Sequence, residues 1–185
     1  MTLFVDTSAW YAAADASDAS NARAREILSG GDPLVTTDHV LVETWTLLRW
    51  RIHREAAEGF WQGLRRGVAT LETVGPADLM AAWSIGEAFH DQDFSLVDRT
   101  SFAVMERLGL ERAASFDDDF SIYRWGPNRR RAFQVLELAQ ISDSRAGRSP
   151  PRRKHRHPAA AQSRVSPPGG DSQSPRHSLP VSHLQ

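Results

Sequence analysis

Acidic residues stand at the ends of apolar segments or on the apolar side of a helix in this sequence. Asp6 follows the apolar run 3–5, Glu43 and Asp98 fall in helical segments, and Asp117 begins the triplet 117–119 after the apolar segment 112–116. Carboxylates bind a phosphodiester only through cations, and oxygen ligands without cysteine favour Mg²⁺ or Mn²⁺ over Zn²⁺. These residues therefore predict metal-dependent hydrolysis of a phosphodiester.

Each position also has a purely structural interpretation. Asp6 could cap the helix that follows it, and Glu43 could lie at the rim of its helix and reach water. Asp98 falls on the apolar face of its helix, where a carboxylate is costly unless it is paired or metal-bound, whereas a capping Asp would point outward. The triplet 117–119 could be a solvated loop, because adjacent carboxylates repel one another.

The periodicity of the apolar residues predicts the elements that carry these side chains. Strands are expected at 3–5, 34–37, 69–74 and 112–116, with a further edge strand at 133–136. Helices are expected at 9–14, 21–28, 55–66, 78–89 and 95–105, with a long helix from His39 capped by Asp38. This alternation predicts a doubly wound or three-layer α/β fold, with a central, mostly parallel sheet flanked by helices. The carboxyl ends of its strands would form the site.

Charge divides the chain into two parts. Residues 1–141 contain 14 Arg and no Lys against 21 Asp and Glu, a net charge of −7. Residues 142–185 contain 8 basic and 2 acidic residues, 7 of the 10 prolines and no aromatic residue. We expect a folded domain at 1–141 and a basic, disordered tail at 142–185, since the tail cannot bury enough apolar surface to fold.

Several classes of protein are disfavoured. The chain has no cysteine for disulfides or thiolate metal sites, no apolar run near the ~20 residues of a membrane span, and no signal-peptide pattern at its N-terminus. A cytoplasmic protein is expected. A glycine-rich turn after the first strand, which a dinucleotide-binding fold would need, is missing. Ser8 stands where a haloacid dehalogenase phosphatase would have its second Asp.

The segments 4–9, 42–44, 95–105 and 115–120 together resemble a PIN domain, and more closely the VapC-type ribonuclease toxins of type II toxin–antitoxin pairs. The resemblance extends from Thr2 to about Leu138, and it implies the parallel three-layer fold and a homodimer. It also implies that Mg²⁺ or Mn²⁺ is held by Asp6, Glu43, Asp98 and Asp117, with Asp119 as an auxiliary ligand. Thr7 or Ser8 would orient the first carboxylate.

The expected function is metal-dependent endonucleolytic cleavage of RNA by a toxin, which a small antitoxin protein inhibits by inserting a basic side chain into the acidic site. The alternative is a non-catalytic PIN-like module that binds RNA or sequesters an antitoxin. Such a module would be marked by the loss of a carboxylate, and all four are present.

Arginines near the acidic residues are candidates for RNA contacts. They are Arg99, Arg124 and Arg129, with Arg130 and Arg131 beside them, although ordinary solvated arginines would look the same. The six tryptophans could stack on RNA bases, but their helical spacing favours core packing, with Trp125 as the best surface candidate.

Overall fold

A computed structural model describes residues 1–136, in which five strands form one sheet. The strands are β1 (Leu3–Val5), β2 (Leu34–Thr37), β3 (Thr70–Glu72), β4 (Arg112–Ala114) and β5 (Gln134–Leu136). Their order is β3-β2-β1-β4-β5 and every pairing is parallel. The predicted boundary between residues 141 and 142, with the basic tail, lies outside the described residues.

Seven helices of the described part of the chain flank this sheet. They are α1 (Thr7–Ala14), α2 (Asn21–Leu28), α3 (Asp38–Arg51), α4 (Arg54–Arg65), α5 (Pro76–Ala88), α6 (Leu96–Leu108) and α7 (Asp119–Ile122), with a short 3₁₀ helix at Pro127–Arg129. The predicted α/β fold with a parallel sheet between helices is confirmed, and the sheet is parallel throughout the described residues.

The order of the strands creates a crevice between β1 and β4. From β1 the chain proceeds to β2 on one side, and from β4 it proceeds to β5 on the other, so the connections diverge at this point. Right-handed crossovers running in opposite directions place their helices on opposite faces of the sheet. Such a switch point is where open α/β sheets bind their ligands, at the carboxyl ends of the strands.

Hydroxyl and glycine residues set the ends of the helices nearest to this crevice. Thr37 caps α3, since its side chain accepts a hydrogen bond from the Val40 amide at 3.1 Å. The prediction that Asp38 caps this helix was wrong: Asp38 is already helical, and its carboxylate accepts the Val74 amide at 3.0 Å. Helix α6 ends at Gly109, whose φ of 64° is in the left-handed region that favours glycine.

An aromatic cluster fills the core on the α6 and α7 face of the sheet. Phe102 is fully buried, stacks on Tyr123 with ring centroids 4.2 Å apart, and meets Phe120 and Phe94 edge-on. Phe120 in turn stacks on Phe4 of β1, which joins the cluster to the central strand. Because α6 carries Asp98 and α7 begins at Asp119, this cluster also fixes two elements of the crevice.

The tryptophans depart from the expected pattern. Trp10 is buried, but Trp50, Trp83 and Trp61 are 79%, 65% and 45% exposed, so the prediction that they pack in the core was wrong. Trp125, predicted to be the best surface candidate, instead stacks on Phe133 at 5.7 Å. Helices with a weak or broad apolar arc do not reveal from sequence which side faces the core.

No helix within residues 1–136 has both the length and the apolar character needed to cross a lipid bilayer.

We expect Phe102→Ala to lower the free energy of unfolding by about 3–5 kcal/mol, because the lost ring leaves a cavity among four aromatic neighbours. Trp50→Ala removes a larger side chain that is mostly exposed, and should change the free energy by at most about 0.5 kcal/mol. Urea denaturation of both variants measures the difference. Equal losses would mean that the aromatic cluster does not dominate the core.

Candidate active site

Asp6 lies at the carboxyl end of β1 and is only 4% exposed. Its Oδ2 atom accepts hydrogen bonds from the Ser8 amide at 3.1 Å, the Ser8 hydroxyl at 2.7 Å and the Ser115 hydroxyl at 3.2 Å. Among the described residues no side chain donates to Oδ1, which leaves that oxygen for a ligand. Burial raises the pKa of Asp6 to about 6, even though the Ser8 hydrogen bonds favour the carboxylate.

Two hydroxyl residues beside Asp6 orient two different carboxylates. The Ser8 side chain holds Asp6, and its Oγ also accepts the Phe116 amide at 2.9 Å, which ties the loop after β4 to the loop after β1. The Thr7 hydroxyl donates to Glu43 Oε2 at 2.6 Å. Of the two candidates for orienting the first carboxylate, Ser8 contacts it, while Thr7 contacts Glu43 instead.

Ser115 belongs to this network and was not identified from the sequence. It is fully buried at the carboxyl end of β4, where its Oγ lies 3.2 Å from Asp6 Oδ2 and accepts the Asp117 amide at 3.1 Å. Ser115 could have been predicted from the similarity in spacing between Asp6-Thr7-Ser8 and Ser115-Phe116-Asp117. In each case a hydroxyl stands two residues from an acid at the end of a strand.

Glu43 is half-buried on α3 and faces the same crevice. Burial raises its pKa, the Thr7 hydrogen bond opposes that shift, and the charges of Asp98 and Asp117 add to it. The structure thus places Glu43 among the other carboxylates, which distinguishes it from a rim residue that reaches only water.

Asp98 combines the two interpretations that the sequence left open. It forms a capping box with Ser95, in which the Ser95 amide donates to Asp98 Oδ2 at 2.8 Å and the Asp98 amide donates to Ser95 Oγ at 3.1 Å. The side chain is nevertheless half-buried, and burial raises its pKa, with the charge of Asp117 adding to the effect. A capping Asp therefore need not point away from the crevice.

The acidic triplet is divided by the start of α7. Asp117 and Asp118 are exposed, whereas Asp119 is half-buried. Burial, followed by the charges of Asp117, Asp98 and Asp6, raises the pKa of Asp119 to about 7. Asp119, expected to be auxiliary, is the member of the triplet whose charge interacts with both Asp6 and Asp98. Asp117 lies close enough to act on Glu43, Asp98 and Asp119.

These carboxylates lack a cationic counter-charge. Within residues 1–136, no Arg or His forms an ion pair with Asp6, Glu43, Asp98, Asp117 or Asp119. In the same part of the chain, no three acidic or histidine side chains converge into a ready-made metal site. The donor set is right for a hard divalent cation, because it consists of oxygens alone, but the carboxylates would have to approach one another to share that cation.

The arginines proposed for RNA contacts are occupied within the protein. Arg99 donates to the Ser95 carbonyl at 3.2 Å and covers Gly86, where a Cβ atom would collide with it. Arg124 donates to the carbonyls at the end of α7, from Ser121 to Tyr123. Arg129 lies over the Phe89 ring at 5.0 Å and donates to the Ala88 carbonyl.

The two arginines beside them differ. Both are exposed, but Arg131 lies over the Trp125 ring at 5.0 Å, whereas the side chain of Arg130 forms no hydrogen bond or ion pair within residues 1–136. To bind a phosphate, an arginine with an internal contact must break that contact or share it. Contact between these arginines and RNA therefore stays a prediction.

Comparison with known proteins agrees with this geometry. The model of the PIN domain family matches residues 3–126. The 23S rRNA-specific endonuclease VapC20 of Mycobacterium tuberculosis, in strains CDC 1551/Oshkosh and H37Rv, is 41% identical over 121 residues, which are 64% of this chain and 92% of VapC20.

A solved structure gives the same relationship. The crystal structure of M. tuberculosis VapC20, described as a sarcin–ricin loop cleaving toxin, superposes with a TM-score of 0.61 and 38% identity, covering 64% of this chain and 92% of that one. The match to the family model spans most of the described residues, and it includes every carboxylate of the crevice. This chain belongs to the PIN domain family, and within it to the VapC type.

Proposed function

We propose that this chain is an endoribonuclease toxin that hydrolyses RNA phosphodiester bonds with Mg²⁺ or Mn²⁺ at the crevice between β1 and β4. The observation that carries the proposal is the group of Asp6, Glu43, Asp98, Asp117 and Asp119, four of which have raised pKa values and none of which has a cationic partner among residues 1–136. Such a charge imbalance is costly in a free protein and is relieved by a bound cation.

Each side chain has a distinct part in this mechanism. The cation would be held by four carboxylates, those of Asp6, Glu43, Asp98 and Asp119. The exposed Asp117 would add its negative charge to the potential at the open side of the crevice. When bound, a divalent cation supplies Lewis acidity to a phosphoryl oxygen and lowers the pKa of water. Ser8 and Ser115 keep Asp6 in one orientation, and Thr7 does the same for Glu43.

The similarity to VapC20 supports RNA as the substrate class. VapC20 is named a 23S rRNA-specific endonuclease and a sarcin–ricin loop cleaving toxin. Since this chain matches 92% of VapC20 at 41% identity, we infer that structured ribosomal RNA is the first substrate to test.

Two protein partners follow from the family. We infer a homodimer, supported by an exposed apolar surface on α5 formed by Leu79, Met80 and Trp83, since patches of this kind mark interfaces. Sedimentation of the chain at rising concentration tests this inference.

We also infer a small antitoxin whose basic side chain enters the acidic crevice, because an Arg fork matches carboxylates in pairs.

Asp98→Asn tests the catalytic proposal directly. Asn keeps the acceptor oxygen that the Ser95 amide contacts in the capping box but lacks the charge that holds a cation. We expect RNA cleavage to fall by more than ~100-fold, the upper end seen for residues that only support metal ligands. Sequencing of the RNA ends made in the presence of Mg²⁺ or Mn²⁺ measures it.

Asp118→Asn is the matched control, because it removes the same charge from an exposed position one residue away from Asp117 and Asp119. It should retain most of the activity, whereas Asp117→Asn and Asp119→Asn should lose it. Cleavage at the wild-type rate by Asp98→Asn would exclude the metal-nuclease proposal and favour a non-catalytic role.

The raised pKa values also predict how stability depends on pH. The folded protein binds protons at Asp6 and Asp119 more tightly than the unfolded chain does, since their pKa values are about 6 and about 7 instead of 3.8. These groups therefore destabilise the metal-free fold as the pH rises from about 4 to about 7, which is the reverse of the usual behaviour of an ion-paired Asp.

Without divalent cations, we expect the melting temperature to be about 3–6 °C higher at pH 5 than at pH 7.5, equivalent to about 1–2 kcal/mol once solvent screening at the half-buried Asp119 reduces the full linkage effect. Adding Mn²⁺ at pH 7.5 should recover the loss, and at pH 5 it should have less effect because protons compete for the carboxylates. Asp119→Asn should flatten the pH dependence. A melting temperature that rises steadily from pH 5 to pH 7.5 would contradict the assignment.

The antitoxin proposal predicts competition with the cation. If a basic side chain takes the place of the cation in the crevice, the affinity of the antitoxin should fall as the Mg²⁺ concentration rises at constant ionic strength. Calcium-free titration calorimetry at several Mg²⁺ concentrations measures this dependence. An affinity indifferent to Mg²⁺ would place the principal contacts of the antitoxin away from the carboxylates.

A further inference from the structure

Helices α3 and α6 carry Glu43 and Asp98, and one directed contact joins them. His39 Nδ1 lies 3.2 Å from Thr100 Oγ1. Within residues 1–136 no other side-chain hydrogen bond or ion pair connects these two helices, although they pack against each other. Thr100 is fully buried and His39 is half-buried, so this contact is partly shielded from competing water.

The direction of the hydrogen bond follows from the other contact of Thr100. A hydroxyl has one hydrogen to donate, and the Thr100 hydroxyl lies 3.1 Å from the Val97 carbonyl, which can only accept. We assign the hydroxyl hydrogen to the Val97 carbonyl, so that Thr100 Oγ1 accepts from His39 and His39 carries its hydrogen on Nδ1. The contact is specific for a donor at that position of the ring.

The two residues of the contact lie close in sequence to the two carboxylates. His39 and Glu43 are four residues apart on α3 and share one face of the helix. Thr100 follows Asp98 by two residues in the first turns of α6. Glu43 and Asp98 carry like charges, and the charge of Asp98 contributes to the raised pKa of Glu43. Their repulsion opposes the close approach of α3 and α6 at this end.

We propose that His39 and Thr100 are a positioning pair, which holds α3 and α6 at the separation that lets Glu43 and Asp98 share one divalent cation. This inference depends on the proposed metal site. It gives His39 a part in the mechanism without contact to the cation or to RNA.

The physical argument is the cost of bringing the carboxylates together. They do not form a ready-made site within residues 1–136, so binding energy must be spent on their convergence. A site loses effectiveness when its supporting residues leave its side chains about 1 Å too loose. A hydrogen bond that already limits the separation of the helices reduces the movement that the cation must produce.

The test is Mn²⁺ binding to the full chain, measured by titration calorimetry at pH 7.5 without RNA. We expect His39→Ala and Thr100→Val to weaken Mn²⁺ binding by about three- to tenfold, less than the 10–100-fold typical of groups that contact a ligand directly. The double variant should be no weaker than either single variant, because both remove the same bond.

Conservative variants separate positioning from general support of the fold. His39→Asn places a donor near the position of Nδ1 and should restore Mn²⁺ affinity, whereas His39→Gln places its amide near the position of Nε2 and should not. Thr44→Val is the matched control for Thr100→Val: Thr44 is fully buried, adjoins Glu43 and has a hydroxyl with no hydrogen-bond partner among residues 1–136. It should bind Mn²⁺ as the wild type does.

Thermal melting in EDTA shows what each change does to the fold alone. A purely structural bond would lower the melting temperature of His39→Ala and Thr100→Val and leave their Mn²⁺ affinity at the wild-type value, which would overturn the proposal. Equal affinities of the Asn and Gln variants would also overturn it. A wild-type chain that binds no Mn²⁺ would instead overturn the metal site itself, so the two failures are distinguishable.

Discussion

The burial of several mutually repelling carboxylates in one crevice is the constraint on which this structure depends. Asp6, Glu43, Asp98 and Asp119 all have raised pKa values, each with burial as the largest cause and with neighbouring acids adding to it. A protein tolerates such a cluster only when the surrounding fold holds it in place. The packing of α6 and α7 on the aromatic core and the parallel pairing of β1 with β4 provide this restraint.

Two carboxylates of the site also cap helices. Asp6 caps α1 and Asp98 completes the capping box of α6, yet both face the crevice. The two roles are compatible, because a helix N-terminus stabilises a carboxylate through its amide groups and its dipole. Ser8 and Ser115 then cross-link the loops after β1 and β4 through Asp6 Oδ2. Local helix capping and long-range site geometry are therefore stabilised by one set of hydrogen bonds.

Three arginines near the crevice are engaged in contacts within the protein, so the sequence overstates how much positive charge is available there to bind phosphate. Arg99, Arg124 and Arg129 serve helix ends, a glycine surface and an aromatic ring. Several exposed apolar side chains, among them Trp50 and Trp83, lie on helices flanking the sheet. Residues 1–141 carry a net charge of −7, and these three arginines are held by internal contacts, so neutralisation of the crevice is central to the proposed contact with RNA.

The sequence alone determined the α/β fold, the five strands, and the acids that end them, because apolar runs and period-3.6 patterns depend on neighbours along the chain. It could not show that Asp98 both caps α6 and faces the crevice, nor could it find the contacts of Ser115 and His39, since those depend on residues up to 109 positions apart. Nor could it orient the helices, so Trp50, Trp61 and Trp83 were assigned to the core. Only tertiary packing decides which face of a helix is buried and which distant hydroxyl reaches a carboxylate, because both depend on the distances between elements and not on the pattern within one.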